Sequence, residues 1–224
     1  MIVATSWARA LLDLVIPVLC VGCGASGSPF CAGCVRASAR PLTMHVPLPV
    51  AAYGWYTGPL RTALIRYKER GRRDLAEPLA RLLETALAGA FERAPPAGIV
   101  LVPVPSARAA ARQRGGNHVF RLARRAGRAL DLPVSPLLRL QWAVRDSAGL
   151  GAAQRGTNLA GAMSAPRCPD AVRRWAVIVD DIVTTGTTVR EAARALAAAG
   201  WHVPGAAVVA ATPRGDPKMS SRGG

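Results

Sequence analysis

The stretch Trp175-Ala-Val-Ile-Val-Asp-Asp-Ile-Val-Thr-Thr-Gly-Thr-Thr-Val-Arg-Glu191 decides how the rest of this sequence can be interpreted. Its apolar run, Ala176 to Val179, has the length and β-branched content of a parallel strand that is buried on both faces. From Val189 the apolar residues recur at helical spacing. The stretch therefore predicts a strand, a loop and a helix.

The loop of this unit predicts a phosphate site. Its residues are small and carry hydroxyl groups: Thr184, Thr185, Gly186, Thr187 and Thr188. Thr188 and Glu191 have the spacing of a capping box at a helix start. The free backbone N–H groups and the positive end of the helix dipole would then meet at one point, and such a point binds phosphate.

Two adjacent carboxylates, Asp180 and Asp181, close the predicted strand. Open α/β sheets bind ligands at the carboxyl ends of their strands, where carboxylates accept hydrogen bonds from sugar hydroxyls or hold a divalent ion through water. A phosphate site beside this pair fits a ribose 5-phosphate. A Walker phosphate loop is excluded because the stretch has no lysine. The nicotinamide-cofactor fingerprint is excluded because the pattern G-x-G-x-x-G is absent.

The thirteen residues from Val177 to Val189 resemble the phosphoribosyl-pyrophosphate (PRPP) motif of the type I phosphoribosyltransferases. A buried strand that ends in a polar turn is the alternative interpretation. That alternative requires neither the paired carboxylates nor the run of threonines.

The composition favours a polyanionic partner. The 224 residues carry a net charge of +16, from 29 basic and 13 acidic side chains, and 50% of residues are hydrophobic. Nucleic acid, an anionic membrane and a phosphorylated small molecule all fit this charge. A chain of this length can bury one substantial core with a small appendage.

We expect four regions along the chain. Residues 1–17 predict an amphipathic helix, which Arg9 and Asp13 distinguish from a signal peptide, so we expect a cytoplasmic protein. A metal module at 18–40, a main domain at 50–212 and a disordered tail at 213–224 follow.

Two C-x-x-C pairs predict a metal site in the first module, with ligands Cys20, Cys23, Cys31 and Cys34. Four thiolates suit a tetrahedral Zn²⁺ that supplies the folding energy of the module. An iron–sulfur cluster or a pair of disulfides are the alternatives, although a cytoplasmic location disfavours disulfides.

The remaining elements follow from patterns of apolar residues and prolines. We expect a linker at 36–49 and strands at 50–56, 99–105, 132–138 and 202–212. Two helices are also expected, one that begins at Gly58 and one that spans 75–93. Lys68 is a candidate site residue, because it is the only lysine before the C-terminal tail and stands where the first of these helices ends.

An arginine-rich segment follows the strand at 99–105. Arg112 and Arg114, beside two glycines, are suited to bind a pyrophosphate. The next four arginines, Arg121, Arg124, Arg125 and Arg128, are expected on a helix surface, and the whole cluster is alternatively a nucleic-acid patch. We predict a mobile lid between Arg139 and Asn158. No role is predicted for His118, His202 or Cys168.

The order of these motifs resembles the competence protein F (ComF) family, including its GntX-like relatives, over residues 10 to 212. The resemblance implies a type I phosphoribosyltransferase-like α/β fold, a parallel sheet flanked by helices, with a small zinc-ribbon-like module at the N-terminus. It also implies a link to DNA uptake in some members. Arg114-Gly-Gly-Asn-His118 stands where that family often has Arg-Gly-Phe-Asn-Gln, and Ser147 replaces a common glutamine.

The resemblance implies displacement of pyrophosphate from PRPP by a nitrogen nucleophile, with Mg²⁺. Asp180 and Asp181 would bind the ribose hydroxyls, the threonine loop the 5-phosphate, and Arg112 and Arg114 the pyrophosphate. The purine-salvage relatives have an aspartate at the position of Thr184, so 6-oxopurines are disfavoured as acceptors. The alternative function is a single-stranded-DNA-handling protein in which the PRPP site is a sensor or a relic.

Overall fold

The architecture is described here from a computed structural model. It describes residues 17–90, 98–106, 116–141, 161–169 and 174–213. The predicted N-terminal helix, most of the predicted lid, Arg112, Arg114 and the C-terminal tail lie outside these residues.

The described chain is an α/β fold whose elements are numbered here in chain order. The helices are α1 (Ala32–Ser38), α2 (Gly58–Glu69), α3 (Ala76–Ala90), α4 (His118–Ala129) and α5 (Thr187–Ala198). The strands are β1 (Leu42–His45), β2 (Pro49–Trp55), β3 (Ile99–Pro103), β4 (Arg139–Leu140), β5 (Met163–Ser164), β6 (Trp175–Val183) and β7 (Ala206–Ala211). None of the described helices is both long and apolar enough to cross a membrane.

A five-stranded sheet organises the fold, in the order β1-β2-β7-β6-β3. All neighbours in it are parallel except the β1–β2 hairpin. The central strands are almost wholly apolar because helices cover both faces. Strand β7, for example, consists of six buried alanine and valine residues.

Two apolar cores lie on opposite faces of the sheet. On one face α2, α3 and α4 pack leucines, including Leu64, Leu83 and Leu122, against Val177 and Val179 of β6. On the other face α5 packs Leu196 and neighbouring alanines against Ile178 and Val208. Strand β6 is therefore buried between two layers and holds the acidic doublet in a rigid position.

The cysteine module shares the first of these cores. Cys20, Phe30 and Cys34 belong to the same buried cluster as the leucines of α2. The hydroxyl of Tyr53 in β2 donates a hydrogen bond to the carbonyl of Val35, at 2.9 Å. The module is thus packed onto the strand and helix that follow it.

Several predicted elements differ from the structure. The segment 36–49 contains α1 residues and β1, so it is not a simple linker; β1 is stabilised by its pairing with β2, which sequence periodicity does not reveal. The segment 132–138 is not a regular strand. It forms a single parallel bridge between Val134 and Leu101, because prolines interrupt it on both sides.

The predicted capping box at Thr188 is wrong. Helix α5 begins at Thr187, two residues before the predicted start, and its N-cap is Gly186 in the left-handed conformation, with φ of 78°. The carboxylate of Glu191 instead accepts a hydrogen bond from the backbone N–H of Met163 at 2.9 Å and pairs with Arg194 at 2.7 Å. Glu191 therefore ties α5 to β5.

Candidate functional site

The acidic doublet lies inside β6 rather than at its end, since the strand continues to Val183. Asp180 is 8% exposed and Asp181 is 3% exposed. The backbone N–H of Asp181 donates to Oδ1 of Asp180 at 2.8 Å. Burial of a carboxylate costs free energy unless hydrogen bonds or an opposite charge compensate for the lost water. Both carboxylates of the doublet therefore require such partners.

Asp181 receives that charge from two helices. Nζ of Lys68, in the last turn of α2, lies 3.1 Å from its Oδ2. Nε2 of His118, the first residue of α4, lies 2.8 Å from the same oxygen. Lys68, a predicted site residue, therefore lies beside the doublet, and His118, for which no role is predicted, lies there as well.

The two carboxylates respond to this environment in opposite ways. Burial and the neighbouring Asp181 raise the pKa of Asp180 well above its usual value. Burial also acts to raise the pKa of Asp181, but the hydrogen bond from His118 and the charge of Lys68 outweigh it and hold that pKa below its usual value. Asp181 is therefore the ionised member of the pair, and His118 donates its Nε2–H to it.

The loop after β6 turns sharply into α5. A Cβ added at Gly186 would collide with Cγ1 of Val46 and lie 2.9 Å from the carbonyl oxygen of that residue, so only glycine fits there. Thr184 and Thr185 are exposed, and Thr187 and Thr188 are half-buried. The hydroxyls of Thr185 and Thr187 lie 2.9 Å apart. The loop thus presents polar groups beside the start of a helix, as an anion site requires.

Two cavities of the described residues lie away from the doublet. One, of about 780 Å³, lies beside α5 and is lined by residues that include Met163, Arg167, Cys168 and Arg194. The other, of about 710 Å³, follows α4 and contains its four arginines, Arg121, Arg124, Arg125 and Arg128. Glu77 and Glu84 line the same groove, and Glu77 pairs with Arg125 at 3.5 Å, which lowers the positive potential of the predicted nucleic-acid patch.

The four cysteines form a second candidate site. Their sulfur atoms all lie within 4.8 Å of one another. Sγ of Cys20 is 3.7 Å from Sγ of Cys34, and Sγ of Cys23 is 3.6 Å from Sγ of Cys31. Tetrahedral Zn²⁺ with bonds of about 2.3 Å separates its sulfurs by about 3.8 Å. The cluster has the composition and size to bind one metal ion such as zinc.

The thiol chemistry is consistent with a metal centre. Burial acts to raise the pKa of Cys20, but hydrogen bonds from the backbone N–H groups of Cys31, Cys23 and Gly22 lower it to about 6. Burial and the neighbouring thiols raise the pKa of Cys34. None of the four thiols forms a disulfide in this structure. Cys168 is free as well and lies outside this cluster.

Comparisons with known proteins agree with this geometry. A family model described as "Phosphoribosyl transferase domain" matches residues 159–221, which include the doublet, the threonine loop and α5. The fold is accordingly phosphoribosyltransferase-like: a mostly parallel sheet with helices on both faces and a cysteine cluster near the start of the described chain.

The other comparisons are less informative. The crystal structure of orotate phosphoribosyltransferase from Aeropyrum pernix is similar to the chain, with 16% sequence identity and a TM-score of 0.40. The similarity covers 81% of this chain and 78% of that one. A comparison with curated proteins finds no match.

Proposed function

We propose that this protein is a ComF-like phosphoribosyltransferase that binds PRPP together with Mg²⁺ and transfers the phosphoribosyl group to a nitrogen acceptor. One observation carries the proposal. An acidic doublet, a left-handed glycine turn and a helix start follow one another in a segment that matches the phosphoribosyl transferase domain.

Each part of the segment suits one part of PRPP. The 5-phosphate would bind the backbone N–H groups at the start of α5 and the hydroxyls of the threonine loop, which lie at the positive end of the helix dipole. The ribose hydroxyls would donate hydrogen bonds to the doublet. Both contacts hold C1 of the sugar in a fixed position, which favours attack by a bound nucleophile.

Arg112, Arg114 and Lys68 supply the positive charge of the proposed site. The two arginines have the donor geometry to bind pyrophosphate oxygens and to stabilise the charge that develops as the C1–O bond breaks. Lys68 offsets the charge of Asp181 at 3.1 Å. Mg²⁺, held through water by the doublet, would add neutralisation of the leaving pyrophosphate.

Calorimetric titration with PRPP and with ribose 5-phosphate tests the proposal. We expect PRPP to bind in the presence of Mg²⁺ and Asp181→Asn to weaken the binding of both ligands by tenfold or more, or about 1.4 kcal/mol. Arg112→Ala with Arg114→Ala is expected to weaken PRPP alone, because ribose 5-phosphate has no pyrophosphate. Asp131→Asn, at an exposed position, is the matched control.

The same titration distinguishes the single-stranded-DNA alternative. A protein of that class would bind an oligonucleotide with a steep dependence on salt, and Asp181→Asn would leave that binding unchanged. If titration with PRPP gave no heat and the protein bound DNA in this way, the DNA-handling function would replace the proposed transferase function.

A further inference from the structure

His118 is a buried histidine in contact with the doublet. It is the first residue of α4 and is 4% exposed. Its Nε2 lies 2.8 Å from Oδ2 of Asp181, which is 63 positions away in the sequence. A contact of this length between two buried side chains is a charge-assisted hydrogen bond, because Asp181 is ionised.

The ring of His118 is itself held in place from three sides. Its Nδ1 lies 3.5 Å from Oγ of Ser106, which follows β3. Its ring centroid lies 6.2 Å from that of Tyr67, in an edge-to-face arrangement. The Tyr67 hydroxyl also donates to the His118 carbonyl at 3.1 Å. With these contacts in place, Nε2 of the ring faces Asp181.

The helix that carries His118 is anchored as firmly. Oδ1 of Asn117 accepts hydrogen bonds from the backbone N–H groups of Val119 and Phe120, at 3.0 and 3.1 Å. Nδ2 of Asn117 donates to the carbonyl of Val104 at 3.3 Å. The cap therefore joins the start of α4 to the end of the β3 segment, and His118 extends this connection to β6.

Lys68 reaches the same carboxylate from another direction. Its Nζ lies 3.1 Å from Oδ2 and 3.5 Å from Oδ1 of Asp181. The Lys68 side chain is 32% exposed, whereas that of His118 is 5% exposed. A partly exposed lysine can reorient on its flexible side chain. His118, the buried donor, is therefore the one that fixes the position of the Asp181 carboxylate.

We propose that His118 is a positioning residue of the phosphoribosyl site, which holds the Asp181 carboxylate in a fixed orientation for the ribose hydroxyls by donating its Nε2–H. This inference rests on the proposed function. The contact uses one N–H of the ring, at Nε2, and Oδ2 of Asp181 as its acceptor, so the property tested at this position is the donor rather than the imidazole ring.

Three substitutions separate the donor from the volume of the ring. His118→Gln keeps a donor, whereas His118→Leu keeps an apolar side chain of similar size without one. His118→Asn keeps an amide that is too short to reach Asp181 and replaces the leucine variant if that protein fails to fold. The matched control is His202→Gln, because His202 also packs edge-to-face against an aromatic ring, that of Trp175, but at the start of β6.

Two readouts are measured on each full-length variant. The first is the titration of the Asp181 carboxyl, followed by NMR of protein labelled with carboxyl-¹³C aspartate and assigned by its loss in Asp181→Asn. Among the described residues, Asp180, Lys68 and Tyr67 are the other titratable groups that interact with this carboxyl, and they are unchanged in every histidine variant. The second readout is the dissociation constant of ribose 5-phosphate.

We expect His118→Leu to raise the pKa of Asp181 and to weaken ribose 5-phosphate by about tenfold. His118→Gln and His202→Gln are expected to stay within about threefold of the unmodified protein. An unchanged Asp181 titration in His118→Leu, or an equal loss in the glutamine and leucine variants, would overturn the inference. If the unmodified protein bound no ribose 5-phosphate, the proposed function would fail instead. The titration would still decide whether the hydrogen bond from His118 lowers the pKa of Asp181.

Discussion

The cysteine cluster and the acidic doublet both gather groups that carry negative charge, and they differ in what balances that charge. The cysteines contact one another and backbone N–H groups, so four thiolates there need a cation from outside the chain. Asp181 contacts Lys68 and His118, so the chain supplies its own cation and donor. A metal would supply the missing charge at the first site, whereas the fold supplies a cation and a donor to Asp181 at the second.

This difference follows from how the ligands are brought together. Cys20 and Cys34 are 14 positions apart, and short turns suffice to juxtapose them. Asp181 is 113 positions from Lys68, so α2, α4 and β6 must pack correctly before the contact exists. We therefore expect metal loss to act on folding, and changes at the doublet to act on the ligand site and on pH dependence.

Removal of the metal is expected to have the largest effect. Cys34→Ser or chelation should lower the free energy of unfolding by several kcal/mol, because the metal holds the module together. Cys34 and Phe30 share a core with α2, so the loss should extend into the main domain. Thermal unfolding, with the zinc content measured by mass spectrometry, checks this.

Cys168→Ser is the control for this prediction, since Cys168 is a buried thiol outside the cluster. We expect the control to retain about one zinc per chain and to lose only about 1 kcal/mol. Equal stability of the metal-loaded and metal-free proteins would show that the module is not held together by a metal.

The separation of contacting residues along the chain also explains which features can be predicted from the sequence. The strand, loop and helix at 175–191 and the cysteine cluster follow from adjacent residues, and the structure has both. Helix α5 starts two residues before its predicted start, because the sequence does not show that Val46 approaches Gly186. That approach requires the β1–β2 hairpin, whose first strand lies in the segment 36–49 that is predicted to be a linker.

His118 illustrates the limit most clearly. Nothing within its neighbouring sequence indicates a carboxylate partner, because that partner lies on another strand. The only signal was indirect: a histidine stands where the resembled family often has glutamine. Lys68 was found for a different reason, its rarity in a chain whose other basic residues are almost all arginine.

Substitutions of the two aspartates are expected to have opposite effects on stability. Asp181 has a lowered pKa in the folded state. Its contribution to the free energy of unfolding is therefore fully present above about pH 4 and is lost as the pH falls through the folded pKa. Asp180 has a raised pKa, so its ionisation opposes folding increasingly as the pH rises above about 4. At pH 7 we expect Asp181→Asn to lower the melting temperature by about 5 °C and Asp180→Asn to raise it by about 3 °C.

Melting temperatures between pH 5 and 8 check both signs. The advantage of Asp180→Asn should shrink as the pH falls toward about 4, because the unfolded state then also begins to bind the proton that the folded carboxyl already holds. Asp131→Asn, at an exposed position, should change the melting temperature little. If Asp180→Asn were destabilising at pH 7, the carboxylate of Asp180 would have to be held by a cation as Asp181 is.

Glycine substitutions compare the rigidity of the two sites. Gly186→Ala introduces a Cβ that meets three atoms of Val46 and forces alanine into a positive φ, so we expect a loss of about 2–4 kcal/mol. Gly22→Ala meets Sγ of Cys34 at 2.7 Å and should cost about 1–2 kcal/mol, since the sulfur can shift with the metal. Gly89→Ala in α3, with nothing within 4 Å, should gain about 0.5–1 kcal/mol. Denaturant unfolding of the metal-loaded variants measures all three, and a larger loss for Gly22→Ala than for Gly186→Ala would mean that the cysteine module, rather than the doublet loop, is the more rigid of the two.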